Sequence, residues 1–360
     1  MAIATLEIEA AKHRSLGRRM RWTFGGFLLL LIVVAGTGAI YQAIAEHRDR
    51  AFFPQVGRRI DVGGFSLNLN CTGKGKPTVI LESGLGIPAV GWSLVQPRIA
   101  QFARVCSYDR AGYGWSDPGP FPRTSREIAR ELHTLLANAH VAPPYILVGH
   151  SFGGFNVRLF NRMYSREVAG VVFVDASQED AESEMSDAMK AANAKSLRQL
   201  RRMDSVMGLL IDFGIARSSI ERNLKVQNVP PQLVRELAYL ELQKKYTDAI
   251  LSERESFNES ADEARGAGDF DDKPLIVLTA GAPDPADAGV PNGDNNAFFE
   301  AWVGRLQPRL VDLSTNGSQL VLLNSHHLIP FEQPQSIVDA VKEVIEDSRQ
   351  RRHANDRHRI

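Results

Sequence analysis

The sequence predicts an α/β protein: a mostly parallel sheet flanked by helices, with a helical insertion between two of its strands. Two observations carry that prediction. Short apolar runs recur at Thr78-Val-Ile-Leu, Val105-Cys-Ser-Tyr, Tyr145-Ile-Leu-Val, Val171-Val-Phe-Val, Leu275-Ile-Val-Leu and Leu320-Val-Leu-Leu. Their unbroken apolar character suits strands covered on both faces. Stretches of helical periodicity separate most of these runs, and such alternation argues for an α/β layer architecture. At 360 residues and 44% hydrophobic, the chain can bury a sizeable core.

The elements follow in order. Arg59-Ile-Asp-Val, Gly63-Gly64 and Phe65-Ser-Leu-Asn-Leu-Asn read as a hairpin broken by two glycines. Thr124 and Glu127 form a capping box before Ile128, Leu132, Leu135 and Leu136, which share one helical face. Pro334 opens a last helix carrying Ile337, Val338, Val341, Val344 and Ile345. From about 177 to 272 no strand is evident, and Glu, Lys, Arg, Met and Leu abound. Several inserted helices are expected there, forming either a surface excursion or a cap over a site; insertions of this size are usually functional. Within them Met207-Gly-Leu-Leu-Ile-Asp-Phe-Gly-Ile is either packing surface or a bilayer contact.

The N-terminus departs from this pattern. No charge falls between Trp22 and Ala45, and a bilayer span needs roughly 20 mostly apolar residues. Trp22 and Tyr41 stand where interfacial aromatics are expected, and Lys12, Arg14, Arg18, Arg19 and Arg21 precede them. The basic excess places the N-terminus in the cytoplasm and the rest of a single-pass chain outside it. A signal peptide cleaved after Ala43-Ile-Ala45, giving a secreted protein, is the alternative. A buried core helix is a third reading. The expected organisation is a basic cytoplasmic tail (1–21), a spanning helix (22–45), a linker (46–57), a main domain (58–347) and a basic C-terminal tail (348–360).

Lys+Arg and Asp+Glu both number 42, so the formal charge is zero and nothing suggests a nucleic-acid partner. With only Cys71 and Cys106, neither a disulfide scaffold nor a cysteine-built metal site is expected. No metal or organic cofactor is implied.

The chemistry-bearing signal is Gly149-His-Ser151-Phe-Gly153, placed after an apolar run and before a helix. A sharp strand-to-helix turn exposes the central serine, and the glycines let neighbouring backbone pass closely. A glycine-rich structural turn is the plain alternative. A serine hydroxyl needs a base oriented by an acid. Downstream, Asp284 follows the run Leu275-Ile-Val-Leu, and His326 and His327 follow Leu320-Val-Leu-Leu. Ser151, Asp284 and His327 are therefore the expected catalytic set. Asp287 and Asp175 compete with Asp284 for the acid role, Asp175 because it ends the run Val171-Val-Phe-Val. His150 is read as structural.

At these residues the chain resembles the α/β-hydrolase superfamily, in particular the proline iminopeptidase-like branch. The resemblance runs from about Gly57 to Asp347. It includes Val79-Ile-Leu-Glu-Ser-Gly-Leu-Gly, Tyr108-Asp-Arg-Ala-Gly-Tyr-Gly-Trp-Ser-Asp, the serine turn, Val171-Val-Phe-Val-Asp-Ala-Ser and His327-Leu-Ile-Pro-Phe-Glu332-Gln-Pro334. The last motif carries the family's Glu-x-Pro after the catalytic histidine, which selects His327 over His326. The resemblance implies an oxyanion hole from the amides of Phe152 and Leu85, the latter on Ser83-Gly84-Leu85 where the family commonly has His-Gly-x. It implies that the insertion at 177–272 is a helical cap. It also implies that Cys71 and Cys106 lie on neighbouring strands, as a disulfide in an oxidising compartment or as two buried thiols.

The expected activity is hydrolysis of a small-molecule ester, amide or short peptide through an acyl-enzyme, carboxylesterase-like. An aspartate in place of Ser151 would have suggested a dehalogenase. The rivals are an aminopeptidase using cap acids such as Glu179, Asp180, Glu182 and Glu184 to hold a substrate amine, and a non-catalytic binding module on the same fold.

Overall fold

A computed structural model of the chain describes residues 2–223, 229–286 and 288–357. Eight strands form one sheet: β1 (Arg58–Asp61), β2 (Ser66–Thr72), β3 (Thr78–Glu82), β4 (Arg104–Asp109), β5 (Tyr145–His150), β6 (Val168–Val174), β7 (Leu275–Ala280) and β8 (Gly317–Leu322). Their spatial order is β1-β2-β4-β3-β5-β6-β7-β8. β1 pairs with β2 and β2 with β4 in antiparallel fashion, and every later pairing is parallel.

The helices are α1 (Ala2–Phe52), α2 (Gln96–Ile99), α3 (Ser125–Asn138), α4 (Gly153–Tyr164), α5 (Ala181–Glu184), α6 (Asp187–Asp212), α7 (Ile215–Asn223), α8 (Pro231–Glu241), α9 (Lys244–Glu255), α10 (Phe257–Arg265), α11 (Asn292–Ala301), α12 (Gln307–Val311), α13 (Ile329–Glu332) and α14 (Pro334–Arg357). Helices α5 to α10 all lie between β6 and β7, where the inserted helices are expected.

Successive residues of a strand face opposite sides of the sheet, and the core divides accordingly. Ile80, Leu147, Val171, Phe173 and Val277 pack with Leu132, Leu135, Leu136, Phe155 and Phe160 of α3 and α4. Val79, Leu81, Val148, Val172 and Leu278 pack with Trp92, Ile99, Val341, Val344 and Ile345 on the other side. Burial on both faces explains why the central strands are apolar without alternation. Thr124 caps α3 as its sequence predicts, accepting from the Glu127 amide. In the hairpin turn Gly63 and Gly64 both take positive φ, at 116° and 97°.

Two expectations are corrected. The run at Leu320 is an edge strand rather than a buried one: β8 pairs only with β7, and Leu320 is 50% exposed. The segment read as a linker stays helical through Phe52, because nothing before Pro54 breaks α1. Helix α14 runs on through Arg357 into the basic C-terminal tail. The segment Met20–Phe52 of α1 is long and apolar enough to cross a membrane, and its apolar side chains are almost all exposed. Cys71 and Cys106 occupy opposed positions of β2 and β4 and are joined by a disulfide.

Candidate active site

Ser151 sits between the end of β5 and the start of α4 with φ of 51°, in the left-handed region. A non-glycine residue pays a steric cost there, so the surroundings must hold it. They do so through backbone bonds: the Ser151 amide donates to the Val174 carbonyl at 3.1 Å, and its own carbonyl accepts from Gly154 and Ser177, each at 2.9 Å. The flanking glycines are steric requirements. A β-carbon at Gly153 would come within 2.6 Å of the Glu82 carbonyl oxygen, and one at Gly149 within 2.9 Å of the Gly153 oxygen.

His327 lies on the loop after β8. Its Nε2 is 2.8 Å from Ser151 Oγ, and its Nδ1 is 2.6 Å from Asp175 Oδ2. A carboxylate can only accept, so Nδ1 carries the proton and Nε2 is left free to take one from the serine. The other Asp175 oxygen accepts from the Ala280 amide at 3.0 Å and from Trp302 Nε1 at 2.8 Å. Asp175 is buried, and like Ser151 it has positive φ, 41°.

Burial works to raise the Asp175 pKa, but the bonds from His327, Trp302 and Ala280 and the His327 charge outweigh it and hold the carboxyl below its usual range. For His327, burial opposes the charged form, but the bond and charge of Asp175, helped by Asp284 and Glu332, raise its pKa overall.

The acid beside His327 is therefore the alternative residue, Asp175, rather than the expected Asp284. Asp175 directly follows the last residue of β6, whereas Asp284 comes four residues after Ala280, between Pro283 and Pro285. Neither proline offers an N–H. The Asp284 carboxylate makes no hydrogen bond among the described residues; only its backbone carbonyl is engaged, by Asn295. It lines a cavity of about 330 Å³ with Asp175, His327, Met185, Met189, Phe298, Phe299 and Trp302. Partial burial raises its pKa against the pull of His327 and His326. Asp287, the other competitor, lies outside the described residues.

The remaining sequence candidates fall as follows. Phe152 follows Ser151 at the mouth of α4. Gly84 packs so closely that a β-carbon there would lie 3.1 Å from Ser151 Cβ, which brings the Ser83-Gly84-Leu85 loop against the serine. His326 turns to Glu332, 3.3 Å away, and the His326 amide donates to the same carboxylate at 2.6 Å. His150 donates from Nε2 to the His327 carbonyl at 3.0 Å. Burial and the neighbouring His327 push its pKa down to about 3, so it stays neutral. Of the insertion acids, Glu179 pairs with Arg158, Asp180 with Arg265 and Arg309, and Glu184 with Arg305.

Sequence reasoning missed the support beneath this site. Arg110 is fully buried; Nη1 donates to Glu82 Oε1 at 2.8 Å and to the Ser83 carbonyl at 2.7 Å. Its Nη2 donates to the Gly84 carbonyl at 2.8 Å, and Nε to Glu253 Oε1 of α9 at 2.8 Å. Tyr113 donates to the second Glu253 oxygen at 2.8 Å, and Tyr108 donates to Glu82. One guanidinium thus fastens the loop beside the serine to the insertion. The available signal was the charged Asp109-Arg110 pair following an apolar strand, which invites the question of what neutralises it.

A family profile described as the alpha/beta hydrolase family matches residues 79–340. An AB hydrolase superfamily protein of Gibberella zeae is 32% identical over 157 residues, covering 42% of this chain and 48% of its own length. The chain spans half or less of the length of the curated relatives it matches. Among solved structures, the epoxide hydrolase CorEH superposes with a TM-score of 0.61 at 15% identity, over 81% of this chain and 98% of that one. A thermophilic esterase from Thermogutta terrifontis gives 0.56 at 19% identity, over 81% and 98%. At these identities the structural likeness speaks for the fold alone.

Proposed function

The chain belongs to the alpha/beta hydrolase family, and on that footing we propose that it is a serine hydrolase cleaving a carboxylic ester or amide through an acyl-enzyme. The observation that carries this reading is the unbroken chain Ser151 Oγ, His327, Asp175 at 2.8 and 2.6 Å. His327 Nε2 takes the hydroxyl proton as Oγ attacks the substrate carbonyl carbon. The oxyanion forms beside the amides of Phe152 and Leu85, at the start of α4, where the helix dipole favours negative charge. His327 returns the proton to the departing alcohol or amine. Water then attacks the acyl-enzyme by the same route, and Ser151 leaves with its proton restored.

An esterase-like substrate is favoured over a peptide with a free amine. Three of the insertion acids that would hold such an amine are already paired with arginines. The cavity wall of methionine and aromatic side chains suits an apolar group.

In the same reading α1 anchors the protein as a single-pass helix, with the catalytic domain outside the cytoplasm. The exposed apolar stretch of α1 supports the anchor. The Cys71–Cys106 disulfide supports an oxidising compartment.

Fluorophosphonate labelling of the full chain beside Ser151→Ala, with a panel of short esters, tests the chemistry. Labelling and turnover are expected in the wild type, and both should vanish in the variant. A well-folded wild type that neither labels nor turns over would return the chain to the role of a binding module.

A further inference from the structure

We infer that the insertion carries a membrane-docking surface, the exposed face of α6, which seats the catalytic domain on the same bilayer that α1 enters. The inference rests on the reading of α1 as an anchor.

Residues three and four apart share a helix face, and one face of α6 reads Lys195, Arg198, Arg202, Val206 and Leu209, continued by Phe213, the residue that caps the helix. All six are exposed. The face is basic in its first half and apolar in its second, where Leu209 is 59% exposed; Ile215, just beyond, is 56% exposed. A run of exposed apolar side chains in one place marks an interaction site.

What covers this end of α6 follows from where it is fixed. Phe213 packs on α1 at Gly38, so closely that a β-carbon there would sit 2.4 Å from the Phe213 carbonyl oxygen. Gly214, with φ of +72°, lies against the Tyr41 ring. Further along α1, toward the catalytic domain, Arg217 bonds Gln42 at 3.1 Å and Asp49 at 2.5 Å. Gly38 and Tyr41 lie near the outer end of the uncharged stretch that runs from Trp22 to Ala45. A bilayer covering that stretch therefore reaches the level of Phe213, Ile215 and Leu209. The basic half of the face rises from there into the headgroup layer, where anionic lipids attract Lys and Arg.

The same helix lines the cavity with Met189 and Asn193 at its other end. Twenty residues separate Met189 from Leu209, about 30 Å of helix at 1.5 Å per residue. Docking thus sets the orientation of the cavity relative to the membrane.

The test uses full-length protein in phosphatidylcholine vesicles containing phosphatidylglycerol, with a nitroxide lipid labelled near its headgroup. The native cysteines are paired, so Leu209→Cys supplies one reactive thiol for an environment-sensitive fluorophore, and Trp22→Cys supplies another in a second preparation. Both side chains are exposed, so neither change should disturb packing. Loss of emission to the nitroxide at both sites is the expected result. Loss at 22 with full emission at 209 would overturn the docking surface while leaving the anchor intact. Full emission at both sites would overturn the anchor and the docking surface together.

Discussion

Asp175 stands directly at the end of β6, and Asp284 stands four residues past the end of the neighbouring β7. Both face His327, yet one is held and the other is idle. Asp175 is buried, strained in φ and bonded by three donors, His327, Trp302 and the Ala280 amide. The Asp284 carboxylate is flanked by two prolines that cannot donate to it, and it borders the cavity without a hydrogen bond among the described residues. A strand end fixes a side chain in direction and surrounds it with neighbouring strand amides; a few residues further along, that advantage is gone. Position after a strand nominates an acid, and the supply of donors decides between nominees.

The contrast predicts its own sharpest test. Asp175→Asn should lower kcat on a short ester by about 10⁴-fold, the scale expected when a catalytic imidazole loses its orienting carboxylate. Asp284→Asn should leave kcat within about threefold of wild type, since it removes only a through-space charge. Reversal of these two results would break the comparison and restore Asp284 as the acid.

The same distinction between held and unheld carboxylates can be created by mutation. Arg110 lies between Glu82 and Glu253, all three buried. Arg110→Met would leave two uncompensated carboxylates and should cost about 3–5 kcal/mol of stability, read from the urea midpoint. The Ser83 and Gly84 carbonyls would lose their shared donor as well, so the fraction still folded should turn over more slowly. An unchanged midpoint would show that these charges are neutralised by protonation rather than by Arg110.

A third effect concerns pH. His327 acts as a base only when neutral, so kcat/KM should rise with pH through its pKa. Because Asp175 and, to a lesser degree, Asp284 raise that pKa, the wild-type midpoint should lie above the ordinary histidine value of about 6.5. Removing the Asp175 charge should move the midpoint to lower pH even as the rate collapses, and Asp284→Asn should move it the same way by less. A larger shift from Asp284→Asn than from Asp175→Asn would contradict the assigned geometry.

What could be read from the chain and what could not divide along the same line. Ser151 was nominated locally by the glycines of a strand-to-helix turn, and His327 was chosen over His326 by its resemblance to the family's histidine before a Glu-x-Pro, here Glu332-Gln-Pro334. The strands were legible from apolar runs, except that β8 as an edge has only one partner and so exposes Leu320. The choice of acid was not legible. It depends on an amide at 280 and an indole at 302, both more than a hundred residues from Asp175. The Arg110 network was hidden for the same reason, since Glu253 lies 143 residues away. The state of the two cysteines became clear only when the register placed Cys71 opposite Cys106.

The smallest predicted effect examines one of those distant donors. Helix α11 ends in a single π turn, Trp302–Leu306, an irregularity that often accompanies functional sites. Its first residue aims the indole N–H at Asp175 Oδ1. Trp302→Phe would keep most of the packing and delete that bond, leaving Asp175 with the Ala280 amide and His327. A hydrogen bond to a charged group is worth about 1.5–3 kcal/mol, and only part of that should reach the transition state. A loss of about tenfold in kcat is therefore expected, with little change in KM. Unchanged kcat would mean that the Ala280 amide alone seats the carboxylate. A loss as deep as that of Asp175→Asn would mean that the carboxylate leaves His327 altogether once the indole is gone, making Asp175 as dependent on its donors as Asp284 is bereft of them.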